Sequence, residues 1–300
     1  MRVDPHFVNG LVDALNRSTL AEQKLTSELS SGLRVASLAD DPVAVGQASL
    51  LSSDISRDDS FVQTATSTQS LMQVTDSVMG SIVTQLTSAL SLGIAGNSGT
   101  RNASDLVTLS QQLGSIRDQV VALANTSYQG VHLFSGSKGD VLPFTVDSNT
   151  VPATTTYQGD SQSGSVTTAS GQRILTGLTG DAVFSAAGAD LMAALNNLVA
   201  DFATGTPSAG AAADIGVLQA AFSNVTQQRS LLDSSLSRLN SATVYAQTDV
   251  TNRTAALSAL VAGDPATVAT QLSAAETQTQ ALMSVISVVE KQSLFDYLRG

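Results

Sequence analysis

The apolar positions of this chain change period twice. Near the N-terminus, Phe7, Leu11, Ala14, Ser18, Ala21 and Leu25 alternate steps of four and three, with Leu15 and Leu29 widening the stripe. This spacing keeps one face of a helix apolar. Gly32 breaks it. After the loop from Ser31 to Asp41 a second helix is predicted, with Asp40 or Asp41 placed to cap it and Pro42 at its first position. Its seam runs Ala48, Leu51, Ile55, Asp58, Val62, Ala65, Gln69, Met72, Asp76, Met79, Val83, Leu86, Leu90, and Gly93, Gly96 and Gly99 close it. The polar exceptions Asp58, Gln69 and Asp76 read as register-setting residues or, as the favoured reading, as points where the seam drifts toward solvent. A third helix fits Leu106, Leu109, Leu113, Ile116, Val120 and Leu123, with Gly130 as its stop.

From Val131 to about Ala187 the period shortens. The stretches 131–140, 142–150, 154–160, 164–175 and 181–184 are short β-prone runs separated by Gly, Asn and Asp punctuation, which predicts a small antiparallel head of hairpins. Lys138, between Gly136 and Gly139, reads as a hairpin tip. A short helix then fits Asp190 to Phe202, with Leu191, Leu195, Leu198 and Phe202 on one face, and 203–210 reads as a linker. The return helix begins near Ala212. Leu218, Val225, Leu232, Leu239 and Ala246 recur every seven residues, beside Phe222 and Leu236. Gly263, Asp264 and Pro265 interrupt the pattern, with Asp264 as cap. Val268, Leu272, Ala275, Thr279, Leu282, Ile286 and Val289 then alternate by three and four, carrying on from Val261.

The six prolines fall at the borders, and none lies in 43–142, 208–264 or 266–300. A proline inside a helix costs about 3 kcal/mol, so these stretches can be long rods. The expected fold is mainly α with a β-rich insertion: an antiparallel coiled coil or bundle formed by both termini, with the β head in the middle. The expected divisions are 1–41 and 263–300 as an inner coiled coil, 42–130 and 211–262 as a bundle, 131–187 as the outer head, and 188–210 as a short helix and linker.

Composition narrows the function. Charged residues are 13%, about half the usual ~25%, and Lys and Glu flanks typical of an isolated coiled coil are scarce. Neutral polar flanks let a helix pack against many neighbours without burying unpaired charge, which hints at tight assembly. The net charge of −11 without a Lys/Arg cluster argues against nucleic-acid binding. There is no cysteine, so disulfides, thiolate metal sites and cysteine nucleophiles are excluded. The N-terminus is not a conventional signal peptide. No run approaches the roughly 18 apolar residues of a membrane span; Ala281 to Val289 is interrupted by Ser284 and Ser287.

Catalytic signals are missing. His6 and His132 are the two histidines and lie in different regions, and no zinc-protease, P-loop or hydrolase-elbow motif occurs. His132 reads as structural, and Asp40 with Asp41 as capping residues rather than a metal pair. No catalytic, cofactor-binding or metal residue and no cofactor is expected, and the protein is not expected to be an enzyme. Phe134, Phe144, Tyr157 and Phe184 suit a small core better than a carbohydrate-binding face. Gly80 and Gly114, inside predicted helices, suggest close approach of a neighbouring backbone.

The ordered motifs carry a resemblance. Ser31-Gly32-Leu33-Arg34-Val35 with Asp40-Asp41-Pro42 resembles the N-terminal turn of bacterial flagellins and their relatives. Gly130 to Gly136 resembles the point where that family leaves its helical core. The Gly263-Asp264 break and the ending Ser293-Leu294-Phe295-Asp296-Tyr297-Leu298 resemble its tail. The Asp40-Asp41-Pro42-Val43-Ala44 run, the Pro143-Phe144 and Tyr157-Gln158-Gly159-Asp160 pieces and the Leu-Phe-Asp-Tyr-Leu ending look more like the hook-associated branch than like filament flagellin. The resemblance implies a secreted structural component of the flagellum, exported without a signal peptide, that joins hook to filament as a ring. Its implied partners are further copies of itself, a neighbouring hook-associated protein, flagellin and an export chaperone, with no nucleic acid and no membrane. Terminal helices that order on assembly are the expected working parts, at Phe7, Leu11, Leu25, Leu272, Leu282, Ile286, Val289 and Leu294. Ser88 and Ser91 stand where flagellins recognised by innate immune receptors carry charges, which implies weak or no recognition. The alternatives are a filament flagellin and, from a different class, an adhesin on a coiled-coil stalk.

Overall fold

A computed structural model describes residues 5–298, with side chains described for Phe7 and residues 9–289. In chain order the elements are α1 (Pro5–Ser31), α2 (Pro42–Gly96), α3 (Ala103–Ala124), the hairpins β1–β2 (Ser127–Tyr128, Val131–His132), β3–β4 (Phe144–Asp147, Thr154–Tyr157) and β5–β6 (Ser165–Thr167, Arg173–Leu175), α4 (Gly180–Phe184), the hairpin β7–β8 (Ser185–Ala186, Ala189–Asp190), α5 (Leu191–Ala203), α6 (Ala211–Val261) and α7 (Pro265–Leu298). The protein is mainly α, and its middle carries four separate two-stranded antiparallel sheets. The chain forms two units, 1–56 with 249–300 and 57–248.

In the 57–248 unit the seven-residue repeat of α6 makes the core. Leu218, Val225, Leu232, Leu239 and Ala246 are all at most 2% exposed. Fully burying one such leucine contributes roughly 1.5–3 kcal/mol, so this line alone commits α6 to one face. From α2 come Met72, Met79, Ile82 and Leu86, all fully buried; from α3, Leu106, Leu113 and Val120; from α5, Leu191, Leu195, Leu198 and Phe202. The α5 helix starts where Asp190 accepts a hydrogen bond from the Ala193 amide at 2.9 Å, a side-chain cap.

The polar residues of the α2 seam do not drift into solvent. Asp58 is 1% exposed. The amide of Gln69 donates to Thr243 Oγ1 at 3.2 Å. Asp76 accepts from Arg229 Nε at 2.6 Å and Nη2 at 3.2 Å. The last two tie α2 to α6, as register-setting residues would. The α2 helix also holds an 18-residue window of mean hydropathy 1.5, enough by length and composition to cross a membrane, with a third of that window buried inside the protein.

The head corrects three expectations. Residues 181–184 lie in the single-turn helix α4, because Val183 and Phe184 turn into the core fully buried; four residues are too few for a period to tell strand from helix. Helix α3 stops at Ala124 with Asn125 as its C-cap, not at Gly130. Gln129 and Gly130, with φ of 52° and 83°, instead form the two-residue turn of β1–β2; such a turn needs left-handed backbone at both central positions, which glycine supplies without strain. Lys138 lies in a run of turns between β2 and β3, not at a hairpin tip.

The four aromatic residues do form a small core. Phe134 and Phe184 meet edge to face at 5.1 Å, Phe144 and Phe184 at 5.4 Å, and Phe144 packs on Tyr157 at 5.1 Å. The Tyr157 hydroxyl lies 2.8 Å from the carbonyl of Phe134 and 2.9 Å from that of Asp160. Asp160 accepts from the Ser137 amide at 2.8 Å and the Gln162 amide at 3.1 Å. A Cβ on Gly159 would fall 2.2 Å from the tyrosine hydroxyl, so the Tyr-Gln-Gly-Asp quartet is a packing unit. Phe134, Phe144 and Phe184 are at most 1% exposed, so these three rings are unavailable to stack on a sugar. A Cβ on Gly80 would lie 3.5 Å from the guanidinium of Arg229 rather than against a backbone, and one on Gly114 would meet nothing within 4 Å; no packing reason accounts for Gly114.

Candidate assembly interface

The unit formed by 1–56 and 249–300 is built on the pairing of α1 with α7. Two observations set its register. The Thr279 hydroxyl donates to that of Ser18 at 2.9 Å, both residues buried. At the helix ends, Leu33 and Ala262 form an antiparallel bridge. The helices therefore run antiparallel. Seven residues back from Ser18 is Leu11 and seven on from Thr279 is Ile286, so those two stand level; in the other direction Leu25 stands level with Leu272.

The positions withdrawn from solvent follow the heptad reading except on α1, where Phe7 and Leu29, expected on the stripe, are 52% and 40% exposed and one step shifts. On α7 they are Val268, Leu272, Ala275, Thr279, Leu282, Ile286 and Val289. On α1 they include Leu11, Ala14, Leu15, Ser18, Glu22, Leu25 and Glu28. Ala21, expected on the stripe, is exposed, and Glu22 takes its place. The step from Ser18 is thus four rather than three, which follows the helix's own 3.6-residue turn.

The end of the pair where α1 stops and α7 starts carries capping chemistry. Asp41 accepts from the amides of Val43 at 3.1 Å and Ala44 at 3.0 Å, capping α2. Asp264 accepts from the Ala266 amide at 3.1 Å and from the Thr267 hydroxyl at 2.7 Å, capping α7. Asp40 has a different task. It accepts from the amides of Ala36 and Ser37 and from the Ser37 hydroxyl, and it pairs with Lys24 of α1 at 2.9 Å. The Lys24 and Ser37 hydrogen bonds hold its carboxyl well below the usual range, and in return raise the lysine. The amide of Arg34 donates to the Val261 carbonyl at 2.8 Å and its guanidinium to that of Leu260 at 3.0 Å, and Gly263 donates to Gly32 at 2.9 Å.

Of the residues expected to drive assembly, Leu11, Leu25, Leu272, Leu282, Ile286 and Val289 are half-buried within this chain, while Phe7 is 52% exposed. The Leu294 side chain lies outside the described ones. Sequence reasoning passed over a second set. Val12 and Leu20 on α1 and Met283, Val285 and Val288 on α7 are all exposed large hydrophobics. Each sits beside a heptad position, and apolar residues flanking a stripe are the available signal. Among the described residues no group of three His, Asp or Glu could hold a metal ion, and His132 is occupied, its Nδ1 2.9 Å from the Asn125 carbonyl.

Residues 10–139 match the family model of the bacterial flagellin N-terminal helical region, and residues 215–298 that of the bacterial flagellin C-terminal helical region. Over 175 residues the chain is 28% identical to flagellar hook-associated protein 3 of Salmonella typhimurium, covering 58% of this chain and 53% of that one. Over 205 residues it is 27% identical to flagellar hook-associated protein 3 of Escherichia coli, covering 64% and 62%. The chain thus spans between about half and three fifths of these curated relatives. Among solved structures, the flagellar junction protein FlgL from Legionella pneumophila superposes with a TM-score of 0.58 at 15% identity, over 72% of this chain and all of that one. Another Legionella pneumophila chain, flagellar hook associated protein-3, gives 0.63 at 13% identity, over 71% and 98%. These superpositions show a shared fold.

Proposed function

This chain belongs to the bacterial flagellin family, and on that premise we propose that it joins hook to filament in the bacterial flagellum. It acts as a structural ring component, without catalysis. The observation that carries the reading is the α1–α7 pair, which satisfies its own seam through Ser18 and Thr279 yet leaves Val12, Leu20, Met283, Val285 and Val288 facing water. Exposed apolar surface of that kind marks an interaction site. The similarity to two hook-associated proteins 3 supports the junction over the filament as the place of assembly.

In this reading the inner pair, 1–41 with 263–300, is completed by neighbouring subunits. The bundle, 42–130 with 211–262, carries the outward head at 131–187. Leu11, Leu25, Leu272, Leu282, Ile286 and Val289 hold the pair together, and the exposed set beside them, with Phe7, meets the neighbours. The partners are further copies of the chain, an adjoining hook-associated protein and flagellin. An export chaperone accompanies the chain before it leaves the cell, and its final place is extracellular.

A deletion strain tests this. Intact hooks with flagellin shed into the medium are the expected result, restored to full filaments by the wild-type gene. Normal filaments in the deletion strain would sink the reading. Long filaments grown from the purified chain alone would favour a filament subunit instead.

A further inference from the structure

Helix α6 carries a second heptad line that the core does not use. Leu231, Arg238 and Tyr245 follow at intervals of seven, each one position before the buried Leu232, Leu239 and Ala246. Leu231 is 54% and Tyr245 68% exposed, and Arg238 is exposed between them. From Leu231 to Tyr245 the line runs about 21 Å along the helix. Alongside it stands β5–β6, which plugs Ile174 into the core next to Leu232 and Leu239. The hairpin leaves two open clefts against α6. One of about 350 Å³ is lined by Arg173, Leu175, Leu231 and Arg238 among others; one of about 480 Å³ by Thr168, Gln172, Arg238 and Tyr245 among others. Arg238 forms part of both, and no carboxylate lines either.

Arginine and tyrosine set among apolar side chains are the composition of a protein-binding centre. Two guanidiniums in clefts without a lining carboxylate call for an acidic partner, and this chain, at −11, is itself one. Asp59 on α2 is exposed on a helix of the same unit, as is Asp118 on α3, which already pairs with Arg117 at 2.8 Å. A two-fold pairing of the line with itself would set Arg238 against Arg238, and like charges facing one another oppose association. A contact between unlike faces avoids this, and such contacts repeat from copy to copy and close into a ring when the rotation allows. We propose that the Leu231–Arg238–Tyr245 line and its flanking clefts are the receiving surface for a carboxylate-bearing helical face of a second copy of this chain. This deepens the ring-component reading above and rests on it.

The chain has no cysteine, so Tyr245→Cys supplies a single thiol for a photo-activated cross-linker. The cross-link is made in isolated flagella and read by mass spectrometry, with immunogold imaging reporting where the protein sits. The expected product is an adduct of two copies of this chain. Its yield should fall at least about tenfold when Arg238→Glu is added, because a repelling charge then meets the acidic face. Circular dichroism checks that both variants stay folded. An adduct with flagellin, with another flagellar protein or with nothing overturns the proposal. So does a yield unchanged by Arg238→Glu. Imaging away from the junction overturns the functional reading instead, and the identity of the adduct still decides the surface.

Discussion

The Thr279 hydroxyl donates to Ser18 across the α1–α7 seam at 2.9 Å, and each residue is 6% exposed. A buried polar group without a partner costs about 1–3 kcal/mol, whereas replacing both partners by apolar groups can be nearly neutral. Ser18→Ala and Thr279→Val should each destabilise the helical pair by about 1 kcal/mol, and the double substitution by less than either added to the other. Thermal unfolding of the four-member cycle measures this. Simple additivity would mean that the two hydroxyls do not depend on one another.

Two glycines on α2 should respond in opposite directions to the same substitution. At Gly80 an added methyl would sit 3.5 Å from the Arg229 guanidinium, an ordinary distance, so Gly80→Ala should gain up to about 1 kcal/mol of helix propensity. At Gly96 it would fall 2.7 Å from Phe202 Cζ, and Phe202 is fully buried. Gly96→Ala should lose about 1–3 kcal/mol through overpacking. Chemical denaturation separates them, and equal effects would contradict the placement of Phe202.

Acid should act on the two units with opposite signs. Asp40 is held below its ordinary value by hydrogen bonds from Lys24 and Ser37. Its contribution is therefore present above the ordinary carboxyl range and lost as the pH falls below about 4. Asp201, in the last turn of α5, is pushed up by burial and by Asp214 at the start of α6, so its ionised form opposes folding and protonation on acidification relieves that. Asp40→Asn should flatten the acid loss of Tm in the 1–56/249–300 unit. Asp201→Asn should raise Tm at pH 7 and make little difference near pH 3. Melting curves from pH 3 to 7 check both, and a reversed order would contradict the signs.

Seam and outer face should be separable in assembly. Leu282→Asp with Ile286→Asp puts charge on half-buried positions, an unfavourable burial; helicity and incorporation into flagella should both fall. Leu20→Asp with Val285→Asp alters exposed positions; helicity should hold while incorporation is lost. Lys138→Ala, in the turns before β3, should leave both unchanged. Circular dichroism and motility report the two properties, and normal motility in either double variant would count against the assembly role.

Long periodic stretches and helix breaks were legible in the sequence. The α6 line from Leu218 to Ala246 holds five apolar positions at intervals of seven, so no single exception could disguise it, and Asp41 and Asp264 before their prolines signal caps by local chemistry alone. Short or long-range features were not legible. Asp181 to Phe184 become a helical turn because Phe184 is drawn into a ring cluster with Phe134 and Phe144, which are distant in sequence. The Asp76–Arg229 pair joins residues 153 positions apart, and no periodicity announces such a partner. The outward Val12, Leu20 and Val285 were hidden because half-buried leucines beside them satisfy the same heptad, and only the observed pairing tells inner from outer. The Arg238 line was missed for the same reason, lying one position from the buried repeat.

The bridge between Leu33 and Ala262, with Gly263 bonded to Gly32, puts the two interruptions of the chain side by side. Each therefore marks off the other's helix like a shared zero on two rulers. A residue inserted or removed between Gly32 and the N-terminal seam would slide Ser18 off Thr279 unless α7 changed by the same amount. Length changes in α1 and α7 must then come in matched pairs, whereas those between β3 and β4 answer only to their own turn. Variation in size among relatives should accordingly collect in the head and spare the arms.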